Sequence, residues 1–396
     1  MTIKISTFKS VLQANATFNE ENKQFIESIE EGLGEKITLS PLEDYECDLK
    51  LIFIQTGGAE GIFLKNIKNL QEPFYLLTSG ANNSLAASLE IMTYLKLHNK
   101  KGEIIHGSFN YISSRIKQLA QIEQAKRNLK KTRLGILGKP SDWLIASVPS
   151  YERVEEVLGV KLIDIPLDTL DSSVNEVSFL PNVSYADKNF NLEEVKKAEV
   201  VSNCLARIVY KYNLDGLTIR CFDLLTSLKR TGCLGLSKLN DSGTIGTCEG
   251  DIMAMLSMYT IKALTNKVSF QANPSLIDVK NNEMILAHCT IPLSMVDYYC
   301  FDTHFESGIS VAIKGKMRVG RVTIFRLSAN LKDYTLYSGI ILNNLNEKDL
   351  CRTQIKVKID GDISQLLTNP CGNHLIVCYG DETEIIKAFL DSVLVN

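Results

Sequence analysis

The chain lacks the sequence features of several large classes of protein. Its 396 residues include ten cysteines but no C-x-x-C pair, which excludes a zinc ribbon and a thioredoxin-type redox motif. Its formal net charge is -3, and no run of basic residues suggests a surface for a phosphate backbone, so we expect no nucleic-acid partner. No stretch approaches the roughly 18 apolar residues of a transmembrane helix, and the first residues lack the apolar core of a signal peptide. We therefore expect a cytoplasmic protein with no membrane partner, whose cysteines are buried thiols.

Hydrophobic residues make up 45% of the chain, and their spacing indicates three domains. Short apolar runs alternate with amphipathic helical patterns up to residue 132, which is typical of a parallel sheet covered by helices. A charged segment, K-R-N-L-K-K-T-R, ends this part, and the same alternation restarts at Arg133 and continues to residue 266. The sequence therefore predicts two Rossmann-like α/β domains with parallel sheets, spanning 1–132 and 133–266.

The pattern changes after residue 266. Most apolar segments from 267 onwards are short and several alternate apolar with polar residues, as strands of an antiparallel sheet with one wet face do. A final amphipathic pattern at 382–394 predicts a closing helix. We expect 267–396 to form a β-rich, barrel-like C-terminal domain.

Three residues beside apolar strands are candidate metal ligands. Glu249 lies in T-I-G-T-C-E-G-D, His288 ends the strand in M-I-L-A-H-C-T-I-P, and His374 lies in P-C-G-N-H-L-I-V-C-Y-G-D. One carboxylate and two imidazoles are a mixed oxygen and nitrogen ligand set, which suits Mn²⁺, Mg²⁺, Co or Fe better than zinc, whose sites are often rich in thiolates. Two of the three residues also have an alternative, structural interpretation. Glu249 could be a carboxylate that stabilises the start of a helix, a role that Asp251 could share, and His288 could be a histidine of the hydrophobic core.

A zinc-thiolate site is a competing interpretation, because Cys248 and Cys289 directly neighbour two of the candidate ligands. Consecutive side chains on extended backbone point to opposite faces, so Cys248 and Glu249 should rarely bind one ion, and the same holds for Cys289 and His288. This geometry disfavours the thiolate site.

Two further segments carry polar and aromatic groups that suit a sugar substrate. G-K-P-S-D-W brings Ser141, Asp142 and Trp143 together after a predicted strand, although Trp143 could equally be ordinary core. H-F-E-S-G contains His304 and Glu306, which would share one face of a strand and could contact a substrate, or could form a solvated edge. We take all five as candidate substrate-binding residues.

These segments together resemble the L-fucose isomerase-like proteins, distant relatives of L-fucose and L-arabinose isomerases. The resemblance rests on G-K-P-S-D-W-L-I-A-S, on C-L-G-L-S-K-L-N-D-S-G-T-I-G-T-C-E-G-D, and on the segments around His288, His304 and His374, and it is good from Arg133 to the C-terminus. It implies that Glu249 is a metal ligand and proton-transfer base, and that His288 and His374 are ligands. It also implies a homo-oligomer, a trimer or a hexamer.

One departure from that family concerns a second acidic ligand. The corresponding segment here reads S-F-Q-A-N-P and has no carboxylate. Asn273 could coordinate through its amide oxygen and is a candidate catalytic residue, but an amide cannot act as a general base at neutral pH. Asp278 lies close in sequence and could substitute for the missing acid.

The sequence thus predicts a cytoplasmic, manganese-dependent sugar isomerase that interconverts an aldose and a ketose through an enediolate. The missing acid leaves open another metal-dependent reaction on a carbohydrate, such as epimerisation or aldol cleavage. A sugar-binding protein without catalytic activity is the third interpretation.

Overall fold

A computed structural model describes residues 1–10, 16–176 and 189–394, and it contains two compact units, Met1–Gln124 and Ala125–Asn396. It confirms the predicted fold class: two parallel-sheet α/β regions are followed by a closed antiparallel barrel. The second parallel sheet and the barrel both belong to the second unit. The boundaries at 132/133 and 266/267 stay predictions. Among the described residues, no helix is long and apolar enough to span a membrane.

The first unit contains a five-stranded parallel sheet in the order β2-β1-β3-β4-β5. Its strands are β1 (Ile3–Phe8), β2 (Ile37–Leu39), β3 (Leu49–Ile54), β4 (Phe74–Leu77) and β5 (Gly102–Ile105). The helices are α1 (Ala16–Leu33), α2 (Glu60–Asn66), α3 (Ser84–Leu97) and α4 (Phe109–Leu129), the last of which ends in the second unit. Every residue of β3 is buried, as expected for a parallel strand with helices on both faces.

The second unit begins with a four-stranded parallel sheet in the order β7-β6-β8-β9. Its strands are β6 (Arg133–Leu137), β7 (Lys161–Ile165), β8 (Gly216–Ile219) and β9 (Ile245–Cys248). The helices of this region are α5 (Tyr151–Leu158), α6 (Asp168–Asn175), α7 (Leu192–Tyr212), α8 (Cys221–Ser227), α9 (Cys233–Asp241) and α10 (Ile252–Thr265). Helix α10 is apolar on nearly all sides and almost wholly buried, so it serves as a central core helix of this unit.

The barrel closes in the order β10-β11-β16-β15-β14-β17. Its strands are β10 (Ser269–Asp278), β11 (Glu283–His288), β14 (Gly320–Leu327), β15 (Tyr334–Asn344), β16 (Thr353–Ile359) and β17 (Leu375–Tyr379), and a separate ribbon pairs β12 (Val296–Asp302) with β13 (Ala312–Met317). Helices α11 (Gln365–Thr368) and α12 (Thr383–Val393) complete the described chain. Alternate apolar residues such as Phe270, Ala272, Leu375 and Val377 fill the barrel core.

Arg326, in β14, ties the barrel to the parallel sheet of the same unit. Its side chain has no exposed surface, and its guanidinium donates to both oxygens of Asp251, 2.9 and 3.1 Å away. The remaining donors bind the carbonyls of Cys371 and His374 and the hydroxyl of Ser147. A buried guanidinium is tolerated only when it is paired and hydrogen-bonded in this way, so Arg326 fixes the loops it touches.

Gly372→Ala should destabilise the protein through Arg326. Gly372 has φ +129°, and a Cβ there would lie 2.4 Å from Nε of Arg326, so the substitution forces the buried guanidinium away from its partners. We expect a loss of about 3 kcal/mol or more in the free energy of unfolding, measured by denaturant titration.

Gly361→Ala is the matched control, because Gly361 also has a positive φ (+90°) but no atom within 4 Å of the added Cβ. It should cost only the backbone strain, about 1 kcal/mol. Equal losses in the two variants would contradict a special role for the contact with Arg326.

Candidate functional site

Glu249 stands on a strained turn between β9 and α10. Glu249 and Gly250 have φ values of +66° and +69°, a left-handed pair that is unusual for a glutamate. A Cβ on Gly250 would lie 2.7 Å from the backbone of Lys139 and Pro140, so glycine is needed there for backbone packing. The N–H of Ser141 donates to the carbonyl of Glu249 at 2.9 Å. The turn is therefore held rigidly, and its strain is typical of functional sites.

His288 ends β11, as the sequence predicted, and is buried. Its Nδ1 lies 2.9 Å from the hydroxyl of Thr290. Its Nε2 points towards Glu249 and lies 3.9 Å from Oε1 of that carboxylate. Occupation of Nδ1 by Thr290 orients the ring so that Nε2 faces the candidate site.

His374 immediately precedes β17 and has no exposed surface. Its Nδ1 lies 2.7 Å from Oδ2 of Asp251. An ionised carboxylate can only accept, so Nδ1 of His374 carries a proton and Nε2 is left to face the site. Nε2 lies 3.4 Å from Oε1 of Glu249, yet this buried nitrogen has no hydrogen-bond partner among the described residues.

The structure thus brings Glu249, His288 and His374 together. One potential ligand atom from each lies within 4.8 Å of the other two. Ligand bonds of about 2.2 Å allow two donors on one ion to be about 4.4 Å apart at most. The distances from Oε1 of Glu249 to Nε2 of His374 and to Nε2 of His288, 3.4 and 3.9 Å, satisfy this limit. An unpartnered buried Nε2 beside a carboxylate fits a divalent cation held by one oxygen and two nitrogens.

The charges within this cluster are strongly coupled. Burial opposes ionisation of Glu249, but its interactions with His288 and His374 outweigh burial and hold its pKa well below the usual range. For His374, burial also disfavours the charged form, and contacts with Asp251 and Glu249 nevertheless raise its pKa to about 9. Burial lowers the pKa of His288, and the charge of His374 adds to this effect. The two histidines therefore differ in protonation near neutral pH, and a metal would have to displace the proton on Nε2 of His374.

The rings of Trp143, Phe222 and His304 lie side by side next to the cluster, and we call them the aromatic wall. Trp143 donates its indole N–H to Oε2 of Glu249 at 2.7 Å, and its ring meets Phe222 edge-on, with centroids 5.0 Å apart. Phe222 in turn meets the ring of His304, 5.5 Å away. Burial and the charges of His288 and Arg352 lower the pKa of His304 to about 4, so this imidazole is neutral. The hydroxyl of Ser141, also buried, has no hydrogen-bond partner among the described residues.

The structure corrects one expectation about the candidate substrate-binding residues and disfavours one of the two interpretations of Trp143. His304 and Glu306 do not share a face of a strand, because H-F-E-S-G forms a turn closed by hydrogen bonds between His304 and Gly308 and between His304 and Ile309. Trp143 is not ordinary core, because half of its surface is exposed (50%) while its N–H is engaged. Asp142 is largely exposed and forms an ion pair with Arg220, 2.9 Å away.

The two candidates for the missing acidic ligand lie at different places on β10. Asn273 pairs with Ala287, the residue before His288, so its backbone lies at the same end of β11 as His288. Asp278 pairs with Glu283 at the far end of the hairpin, where its carboxylate binds the backbone and side chain of Asn281. Five residues of strand separate the two positions by about 16 Å, so Asp278 is poorly placed to reach the site.

The cysteines beside the ligands have partners of their own. Cys248 donates to the sulfur of Cys221, and Cys351 packs against the small buried cluster that contains Cys289. Within the described part of the chain, the cluster of potential ligands contains no cysteine. This arrangement does not favour the zinc-thiolate interpretation.

Sequence reasoning missed three residues that shape the site. Arg326 is the charged residue in the strand V-T-I-F-R-L, and a charge in so apolar a run was the available signal. Asp251 was considered only as a helix-start carboxylate; it does accept from the N–H of Ala254, but it also binds His374. Gln271 accepts from the N–H of Cys248 at 2.8 Å and so fixes the end of β9; its sequence carried no such signal.

Comparison with known proteins identifies sugar isomerases as relatives. Proteins named sulfoquinovose isomerase from Priestia aryabhattai and Priestia megaterium are each 24% identical over 324 residues, which cover 76% of this chain and 72% of theirs. One from Alkalicoccus urumqiensis is 21% identical over 294 residues, 70% of this chain and 66% of its own. No protein-family model matches the sequence. These similarities confirm the prediction that the chain is a sugar isomerase.

The stability of the metal-free protein should fall between pH 7 and pH 9. The pKa of His374 is raised from 6.5 to about 9 on folding, so its stabilising contribution is complete below about pH 6.5 and is lost as pH rises through 9. A shift of this size corresponds to about 3 kcal/mol in total, measurable by denaturant titration across this pH range. His374→Gln should remove this slope, whereas His98→Gln, on an exposed helix end, should keep it. The same slope in all three proteins would contradict the assignment.

Proposed function

We propose that this chain is a metal-dependent aldose–ketose isomerase of the L-fucose isomerase-like kind. The observation that carries the proposal is the buried Nε2 of His374, which has no hydrogen-bond partner in the described part of the chain and lies with Nε2 of His288 around Oε1 of Glu249. Buried nitrogens without a partner are rare in folded proteins, and a cation between these atoms would satisfy all three.

Manganese is the cation that we favour. One carboxylate and two imidazoles form a mixed oxygen and nitrogen set, without the thiolates that favour zinc. Both histidines have their Nδ1 atoms engaged, by Thr290 and Asp251, which fixes the rings as ligands. When bound, the ion would polarise the carbonyl and the adjacent hydroxyl oxygen of an aldose.

In this proposal the residues of the chain position the sugar and move its proton. Isomerisation transfers a proton between C2 and C1, and we assign to Glu249 the role of accepting this proton and returning it. Asp251 cannot share this task, because both of its oxygens bind Arg326 and one of them also accepts from His374. Trp143, Phe222 and His304 would line one side of the sugar, with Ser141, Asp142 and Glu306 nearby.

The substrate class that we propose is an aldose with an anionic substituent, and sulfoquinovose is the first candidate. The relatives are named for this sulfonated sugar. Arg352 lies near His304, donates to Thr303, and has its nearest carboxylate, Asp302, at 3.5 Å. Arg220 is already paired with two carboxylates, so Arg352 is the better partner for a sulfonate.

The proposal also includes a cytoplasmic location and assembly as a homo-oligomer of three or six copies, both suggested by the sequence. The alternatives are epimerisation or aldol cleavage of a related sugar, which the missing second acid permits, and sugar binding without turnover. Each alternative differs from isomerisation in its products or in the exchange of the proton on C2.

The decisive experiment follows ketose formation and deuterium uptake at C2. With Mn²⁺ and sulfoquinovose, an isomerase forms ketose and exchanges the proton, an epimerase exchanges without ketose, and a binding protein does neither. We expect activity to vanish with EDTA and to return with Mn²⁺, and we expect D-quinovose, which lacks the sulfonate, to be a poorer substrate.

Glu249→Gln is the control variant in this assay and should lower kcat by about 1,000-fold, because the amide has no basicity. It should leave the thermal unfolding temperature within a few degrees of the parent, since the amide can still accept from Trp143. Retained turnover with a large loss of stability would assign Glu249 a purely structural role.

Asn273→Asp should tighten Mn²⁺ binding by about tenfold, because carboxylates bind hard cations better than amides do. Calorimetric titration of the metal into the parent and the variant measures this change. Asp278→Asn, at the far end of the hairpin, should leave the affinity unchanged. The opposite pattern, with a loss only in Asp278→Asn, would show that Asp278 supplies the second acid.

A further inference from the structure

The two oxygens of Glu249 have different partners. Oε1 faces Nε2 of His374 and Nε2 of His288, at 3.4 and 3.9 Å. Oε2 accepts the indole N–H of Trp143 at 2.7 Å. A hydrogen bond to a charged acceptor is strong and directional, so it opposes rotation of the carboxylate about its last torsion. Only one oxygen is therefore presented to the two histidines.

The loop that carries Trp143 is fixed at several points. The N–H of Ser141 donates to the carbonyl of Glu249, and Arg220 donates to the carbonyl of Pro140 at 2.7 Å. Further along, Arg326 donates to the hydroxyl of Ser147 at 2.8 Å. The indole is thus attached to a frame that includes the backbone of the glutamate it contacts, which sets its N–H at a defined place.

Packing alone does not explain the position of Trp143. A tryptophan that served the core would be largely buried, whereas half of this side chain is exposed (50%). Its contacts are polar at one edge, with Glu249, and aromatic at another, with Phe222. A half-exposed ring whose N–H is directed at a buried carboxylate is better suited to orienting that carboxylate than to filling space.

We propose that Trp143 is a positioning residue for Glu249: its N–H holds Oε2, so that Oε1 alone faces the histidines and the bound sugar. The expected effect of Trp143 on kcat rests on the proposed function. The expected effect of Glu249 on the fluorescence of Trp143 does not depend on any enzymatic activity. Trp143 is the one tryptophan of the chain, so the intrinsic tryptophan fluorescence reports directly on the charge of Glu249.

The fluorescence test compares two isosteric variants of the metal-free protein. Glu249→Gln replaces the charge at the indole N–H by a neutral amide and should change the emission maximum or yield of Trp143. Glu306→Gln removes an exposed carboxylate of the neighbouring turn and should change it much less. Equal emission spectra for the parent and Glu249→Gln would overturn the proposal, whether or not the protein is an isomerase.

The kinetic test uses Trp143→Phe, which keeps an aromatic ring and removes the N–H. Loss of a hydrogen bond to a charged group predicts that kcat falls by about 10- to 100-fold and that Mn²⁺ affinity falls by a similar factor, with KM changed by less than about threefold. Phe222→Leu alters the same aromatic wall without touching Glu249 and should act mainly on KM. Unchanged kcat and Mn²⁺ affinity in a folded Trp143→Phe protein would overturn the proposal.

Absence of turnover in the parent protein would contradict the proposed function, whereas a Trp143→Phe protein that behaves like the parent would contradict the positioning role of Trp143. If the parent binds Mn²⁺ but converts no aldose, the proposed function fails, while the emission change and the loss of Mn²⁺ affinity still support positioning by Trp143. If the parent is active and Trp143→Phe matches it in kcat and in Mn²⁺ affinity, the proposed function stands and the positioning role fails.

Discussion

The buried ion pair between Arg326 and Asp251 is the interaction on which the candidate site depends. Both side chains are completely inaccessible, and the partners are 75 residues apart in sequence. Desolvating two charges is costly, and only a complete set of hydrogen bonds offsets that cost. Arg326 meets this condition by binding two backbone carbonyls and a hydroxyl as well as the carboxylate. The pair therefore fixes the loop before β17 relative to the turn after β9.

Asp251 connects this structural pair to the chemistry of the site. Its carboxylate caps α10, pairs with Arg326 and accepts from Nδ1 of His374. Burial opposes ionisation of Asp251, but Arg326 and His374 outweigh burial and keep its pKa low. An ionised carboxylate makes His374 present Nε2 towards Glu249. Asp251 therefore contributes both to the stability of the second unit and to the orientation of His374, so any change at Asp251 affects both.

Local patterns in the sequence predicted the fold class and the context of each candidate ligand. The strand, turn and helix around Glu249 follow from a short apolar run, a glycine and an apolar helical stretch, and the strands at His288 and His374 follow in the same way. The contacts that orient these side chains could not be predicted, because they join residues 75 to 123 positions apart. The expectation that His304 and Glu306 share one face of a strand was wrong, because backbone hydrogen bonds of His304 with Gly308 and Ile309 close this segment into a turn.

The cluster contains one carboxylate, Glu249, which in the proposed function has to act both as metal ligand and as base. Asp251 is a second acid beside the cluster, but its oxygens are occupied by Arg326 and His374, so it supplies no free oxygen. Glu249 is left with two oxygens in different surroundings, one facing the histidines and one bound to Trp143. An indole N–H stabilises the charge on Oε2 without supplying a proton that could be transferred. Under the proposed function, such a donor orients the carboxylate and leaves Oε1 free for the site, so that a single acid would serve both as ligand and as base.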